Sequence, residues 1–128
     1  MNEPVFLTLE QVLTLHRGAL ERHGGQDGIR DSGALESAVI QPRNVYHYAR
    51  GDLFDVAAAY AFHLAGAQAF LDGNKRTGMA AALVFLRLNG GMVPRATDEL
   101  YGVMIAIAER RLGKLELAAL FRRLGRFA

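Results

Sequence analysis

Between Thr8 and the pair Gly24–Gly25, the residues Leu9, Val12, Leu13, His16, Ala19 and Leu20 recur at helical spacing. Thr8 and Gln11 stand three apart, the spacing of a capping box in which hydroxyl and amide satisfy free backbone donors, and the two glycines end the run. A short second helix is predicted within RDSGALESAVIQP. Asp31 or Ser32 can cap its start, and Pro42 closes it because proline has no N–H to continue the ladder. The segment NVYHYARG that follows is expected to be irregular.

From Asp52 the pattern changes. LFDVAAAYAFHLAGAQAF is apolar on nearly every face, and such a helix belongs in the middle of a bundle. DGN interrupts it. A second buried helix is predicted from roughly Lys75 to Leu88, ended by Asn89-Gly90-Gly91. GMVP suits a short extended piece, Thr97 is placed to cap a helix over DELYGVMIAIAERRLG, and KLELAALFRRLG makes a last one. No internal repeat, low-complexity tract or linker interrupts the chain. Residues 1–128 therefore read as one all-α domain, about six helices around a central buried helix–loop–helix hairpin over Asp52–Leu88.

Composition narrows the setting. A chain of 128 residues can bury an ordinary core without staples, and 51% hydrophobic with 22% charged residues excludes a disordered chain. The absence of cysteine removes disulfides, thiolate metal sites and cysteine nucleophiles, and fits a reducing compartment. MNEPVFLTLEQ has no basic start followed by a long apolar core, so no signal peptide is visible. The longest apolar run, Val56–Phe70, is broken by His63 and Gln68 and is too short to span a bilayer. A soluble cytoplasmic protein with no membrane contact is expected. The net charge of +2 is weakly basic, and ERRLGK and FRRLGR read as a solvated helix face, so no direct contact with DNA is expected.

The chemistry concentrates in AQAFLDGNKRTG, residues 67–78. A helix starting at Asn74 or Lys75 offers backbone N–H groups without intrahelical partners, together with the positive end of its dipole. Gly73 lets a ligand approach the backbone closely, and Lys75 and Arg76 bring formal cations to the same spot. Asp72 supplies a hard oxygen for Mg²⁺, the usual companion of polyphosphates. An ordinary interhelix turn would also use Asp-Gly-Asn. Two cations opening a buried helix favour an anion site instead, because burying them unpaired is expensive.

FLDGNKRTG resembles the signature of the Fic/Doc superfamily, and the lysine of GNKRT is more similar to the Doc toxins than to the Fic adenylyltransferases. The likeness extends to GIRDSGALESAV upstream and AALVFLRLNG downstream. The resemblance implies a helical domain that transfers part of a nucleotide to a protein hydroxyl. For Doc toxins, it implies phosphorylation of a threonine of translation elongation factor Tu with ATP and Mg²⁺, which halts translation. It also implies an antitoxin whose disordered C-terminal segment folds on the toxin. Carried over by position, Asp72 would hold Mg²⁺, Gly73 and Asn74 would line the anion loop, and Lys75 and Arg76 would contact phosphates. Phe70 would anchor the loop in the core.

The resemblance also implies a histidine two residues before Phe70, acting as general base. This chain has Gln68 there. A carboxamide takes no proton at physiological pH, and losing a general base costs about 10²–10⁴ in rate. His63 lies five residues earlier, about 140° around the helix, and is expected to face elsewhere and pack. Gln68 can still orient a hydroxyl, as glutamine orients water in GTPases. Two readings follow: a Doc-like kinase toxin impaired at Gln68, or a Fic/Doc scaffold that binds nucleotide or antitoxin without transfer. Nucleotidyl transfer is the variant chemistry of the first, and a helical DNA-binding protein is a remote third reading.

Overall fold

The computed structural model describes residues 3–93 and 98–127. Six helices run along them: α1 (Leu9–His23), α2 (Ser32–His47), α3 (Leu53–Ala67), α4 (Asn74–Leu88), α5 (Asp98–Ala108) and α6 (Lys114–Leu124). The all-α expectation holds, and α3 lies at the centre of the bundle. Val56, Ala57, Ala58, Ala59, Tyr60 and Ala61 are all fully buried on successive positions, so every face of this helix meets protein. Alanine makes that possible, because its methyl lets neighbouring helices approach closely. α4 approaches closely at Gly78, where an added Cβ would lie 2.9 Å from the Ala61 carbonyl oxygen.

Several starts follow from side-chain caps. Thr8 and Gln11 form the expected capping box at α1, with Thr8 Oγ1 accepting from the Gln11 N–H at 3.1 Å. Asp31, rather than Ser32, caps α2 by accepting from the Ala34 N–H at 2.9 Å. Asp52 and Asp55 cap α3 reciprocally, each carboxylate accepting from the other's backbone N–H at 2.9 Å. Arg122 of α6 then grips Asp52 at 2.9 Å and Asp55 at 3.2 Å, tying the last helix to the start of the central one.

Two boundaries differ from the sequence reading. Pro42 does not close the second helix: α2 runs through it to His47 and takes in NVYH. Proline removes one ladder bond at a cost of about 3 kcal/mol. Here its ring is itself buried, on the same face as Leu35, Ala38 and Val39, and that apolar seam offsets the lost bond. The predicted helix over DELYGVMIAIAERRLG stops at Ala108, where Arg110 takes the left-handed conformation (φ 62°) and turns the chain toward α6. Within GMVP, Gly91–Met92 forms β1, paired antiparallel with β2 (Arg126–Phe127), Gly91 opposite Phe127. Thr97 lies outside the described residues.

Tyr60, Phe70, Phe85 and Phe121 are the largest fully buried side chains. Tyr60 also holds the extended N-terminal segment, its hydroxyl oxygen accepting from the Leu7 N–H at 2.8 Å. No helix among the described residues is long and apolar enough to cross a membrane.

Candidate functional site

The loop between α3 and α4 is built by three interlocking constraints. The central helix ends at Gln68, which caps it in the left-handed conformation (φ 49°, ψ 43°). A non-glycine residue there costs roughly 1–2 kcal/mol. Gln68 is exposed, whereas Ala69 and Phe70 turn straight back into the core. A strip between α1 and α2 pairs with them: the Arg30 N–H donates to the Ala69 carbonyl at 2.7 Å, and the Leu71 N–H donates to Gly28 at 3.0 Å.

The second constraint is Asn74. Its Oδ1 accepts from the Phe70 N–H and its Nδ2 donates to the Phe70 carbonyl, both at 3.0 Å, closing the loop on itself. The Asn74 side chain is thereby committed to the loop's own backbone, which leaves its N–H as the group that can face an anion. The third constraint is His16 of α1. Its ring lies flat on Phe70, centroids 3.7 Å apart and 7° from parallel, and its Nε2–H donates to the Asp72 carbonyl at 2.8 Å.

Gly73 follows with φ 83°, in the region that favours glycine, and forms the N-cap of α4 without a side-chain hydrogen bond. The first turn of α4 therefore presents its amides uncapped, next to half-buried Lys75 and exposed Arg76. Two hollows flank the loop. One of 220 Å³ is lined by Gln68, Asp72, Gly73, Asn74 and Lys75 together with Arg30. The other, of 270 Å³, reaches Asp72–Arg76 from the side of Gly24 and Gly25. All six predicted site residues thus line one or both hollows, and Gln68 shares its own with four of the other five.

Asp72 has a double attachment. Its Oδ2 accepts from the Gln26 N–H at 2.7 Å, in addition to the His16 contact at its carbonyl. Among the described residues no group of three or more His, Cys, Asp or Glu could hold a metal. A lone carboxylate suits Mg²⁺, which is commonly held by one or two carboxylates and completed by phosphates and water, so the residues present fit that ion.

Sequence reasoning missed two members of this site. His16 stands 56 residues from Asp72, and nothing in helical spacing reports that contact. Arg30 lies within the upstream stretch GIRDSGALESAV, yet only the strip's pairing with Ala69 brings it to the hollow. The remaining histidines sit elsewhere or play other parts. His63 faces away from the loop as expected: its Nε2 accepts from the Lys114 ammonium at 3.2 Å, and burial together with Lys114 brings its pKa down to about 4. His47 pairs with Glu3 at 2.8 Å, and His23 lines the hollow beside Gly24.

Comparison with known proteins gives a consistent picture. The family model described as Fic/DOC family matches residues 6–86. The chain is 35% identical over 117 residues to protein kinase doc of Escherichia phage P1, covering 90% of this chain and 91% of that one. It is 43% identical over 89 residues to toxin Doc of Mycolicibacterium smegmatis (strain ATCC 700084 / mc(2)155), covering 66% of this chain and 65% of that one.

Proposed function

The chain belongs to the Fic/DOC family, and from that membership we propose that it is a Doc-type toxin whose ancestral activity is phosphoryl transfer from ATP to a hydroxyl of a translation factor, elongation factor Tu. The observation that carries this reading is the convergence of Gln68 with Asp72, Gly73, Asn74 and Lys75 on one hollow at an uncapped helix start. Backbone amides and cations there suit the charge of a polyphosphate, and catalysis of phosphoryl transfer is mostly positioning and electrostatics.

In the proposed reaction the acceptor oxygen forms a bond to the terminal phosphorus, the bond to the bridging oxygen breaks, and ADP leaves. Mg²⁺, held by Asp72, would neutralise phosphate charge. The Asn74 N–H and Lys75 hold the phosphates, with Gly73 giving close access and Arg76 reaching them from the second hollow. The acceptor proton has no basic destination at Gln68. Its amide can accept a hydrogen bond from the hydroxyl and hold it in line, but it cannot take the proton away. Transfer is therefore slow in this chain. That same amide favours one second reading, a scaffold that binds nucleotide or antitoxin without transfer.

The partner implied is an antitoxin whose C-terminal segment is disordered when free and folds on this chain, and the setting is the cytoplasm. Calorimetric titration of ATP with Mg²⁺ tests the site. Lys75→Ala is expected to weaken binding at least tenfold without unfolding the protein. Equal affinity in the two proteins removes Lys75 from the site, and no binding in either removes the nucleotide. Co-expression with the neighbouring reading frame is expected to give a co-purifying complex.

A further inference from the structure

A hollow larger than either of those at the loop lies elsewhere among the described residues. It has a volume of 570 Å³ and lies between α2, the last turns of α3 and the turn joining α5 to α6. That is within the range of sites that take small ligands or short peptide segments, about 300–1,000 Å³. Its floor is Phe62, His63, Gly66 and Ala67, and Ile107 and Leu112 close one wall. Three observations bear on what it takes.

The first is position. Gly66 and Ala67 line this hollow, while Ala65 and Gln68, the residues on either side of them, line the hollow at the loop. Ala108 and Arg30 border the loop hollow, whereas Ile107 and Ala34 border the larger one. A single turn at the C-terminus of α3 separates the two. The second is charge. Among the described residues no acidic side chain lines the large hollow, Arg110 does, and the ammonium of Lys114 stands 3.2 Å from His63 on its floor. His63 accepts from Lys114 and so adds no negative charge. Ser37 and Gln41 complete the polar lining.

The third is backbone. Arg110 is held at φ 62°, a conformation that a non-glycine residue takes at a cost, and it is one of the residues lining this hollow. Gly66, on the opposite side, leaves open space: a Cβ added there meets nothing within 4 Å. The hollow is thus apolar in its floor, positive at its rim, and open beside the residue at which the acceptor hydroxyl must arrive.

We propose that this hollow is an acceptor subsite, taking a short segment of the target protein in which an apolar residue stands beside an acidic one, close in sequence to the hydroxyl presented at Gln68. The loop hollow, at 220 Å³, is small for the flanking residues of a protein substrate, and one step from it over the end of α3 leads here. The apolar residue covers Phe62 and Ile107, and the acidic one pairs with Arg110. The identification of the occupant as an acceptor rests on the function proposed above, whereas the affinity of the hollow for such a segment does not.

The experiment has two arms, and Gly66→Leu serves both. Its side chain projects into open space from a helix, so the melting temperature is not expected to fall. In the first arm, ¹⁵N-labelled protein is titrated with the acetylated, amidated tripeptide Leu-Glu-Thr. The Ala67 and Gly113 amide signals are expected to shift in the protein as it stands and to stay fixed in Gly66→Leu. Arg110→Gly, which suits the backbone but removes the cation, is expected to weaken binding several-fold. Signals that never move, or that move equally in Gly66→Leu, overturn the subsite.

In the second arm, Gly66→Leu is combined with Gln68→His and elongation factor Tu is the acceptor. The expected result is a KM for the factor raised at least tenfold, with ATP affinity unchanged. An unchanged KM overturns the acceptor assignment. If Gln68→His alone transfers no phosphate, the acceptor assignment falls with the function it rests on, and the first arm then reports a peptide site of another purpose.

Discussion

His16 of α1 lies face to face with Phe70, ring centroids 3.7 Å apart, while the same imidazole donates to the Asp72 carbonyl at 2.8 Å. One side chain thus fixes both the buried anchor of the loop and the peptide that leads into Gly73. With that carbonyl drawn inward, the chain enters Gly73 at φ 83° and α4 begins with its amides uncapped. The loop between α3 and α4 is positioned from behind, by a residue of a different helix.

His16→Phe separates the two roles, because it keeps a flat ring against Phe70 and removes the N–H. The lost hydrogen bond should cost about 1 kcal/mol of stability. Affinity for ATP is expected to fall about tenfold, as the loop loses the contact that orients its backbone. Calorimetry on the two purified proteins checks this, and equal affinity would mean that the ring's packing alone is enough.

Gly78 sets how close α4 comes to α3. In an exposed helix, replacing glycine by alanine stabilises by about 1 kcal/mol. Here the new methyl would lie 2.9 Å from the Ala61 carbonyl oxygen and 3.3 Å from both the Ala65 nitrogen and Met104 Cε. The first two are backbone atoms and cannot swing aside. Gly78→Ala is therefore expected to destabilise by roughly 1–3 kcal/mol, read by chemical denaturation. A stabilised variant would mean that the two helices are less tightly apposed than this packing requires.

His63 makes stability depend on acidity. Burial, and then the neighbouring Lys114, hold its pKa at about 4, below the ordinary value of 6.5. Above pH 6.5 both folded and unfolded chains carry it neutral, so its effect on stability is constant. Below that the unfolded chain binds a proton that the folded chain refuses, and stability declines until pH falls through about 4. His63→Phe should flatten that part of the profile. An NMR titration in Lys114→Met should show the His63 pKa rising, and one that does not move would leave burial as the whole cause.

The hairpin of α3 and α4 was legible because a run apolar on every face belongs at the centre of a bundle, and because DGN breaks it with residues that suit a turn. The grouping of Asp72 to Arg76 at one loop was legible for a simpler reason: they are adjacent in the chain, so their meeting needs no fold. His16 and Arg30 were not, since each reaches the loop across dozens of residues and neither spacing nor composition records such contacts. Pro42 misled because its usual helix-ending effect was overridden by burial of its ring against the core. The pairing of Gly91–Met92 with Arg126–Phe127 left no trace either, as two-residue strands have no period to read.

Under the function proposed above, the acceptor hydroxyl must lose its proton at position 68, and the neighbouring loop binds nucleotide independently of that position. The measurement is transfer of labelled phosphate to elongation factor Tu by the protein as it stands and by Gln68→His, with ATP affinity of both by calorimetry. Affinities equal within a factor of about two are expected, because the proposed phosphate contacts are at Gly73–Arg76 and not at Gln68. The expected rate is roughly two to four powers of ten higher in Gln68→His, the span a general base supplies. A rate that rises less than about tenfold, with affinity unchanged, would contradict the base assignment and the function built upon it.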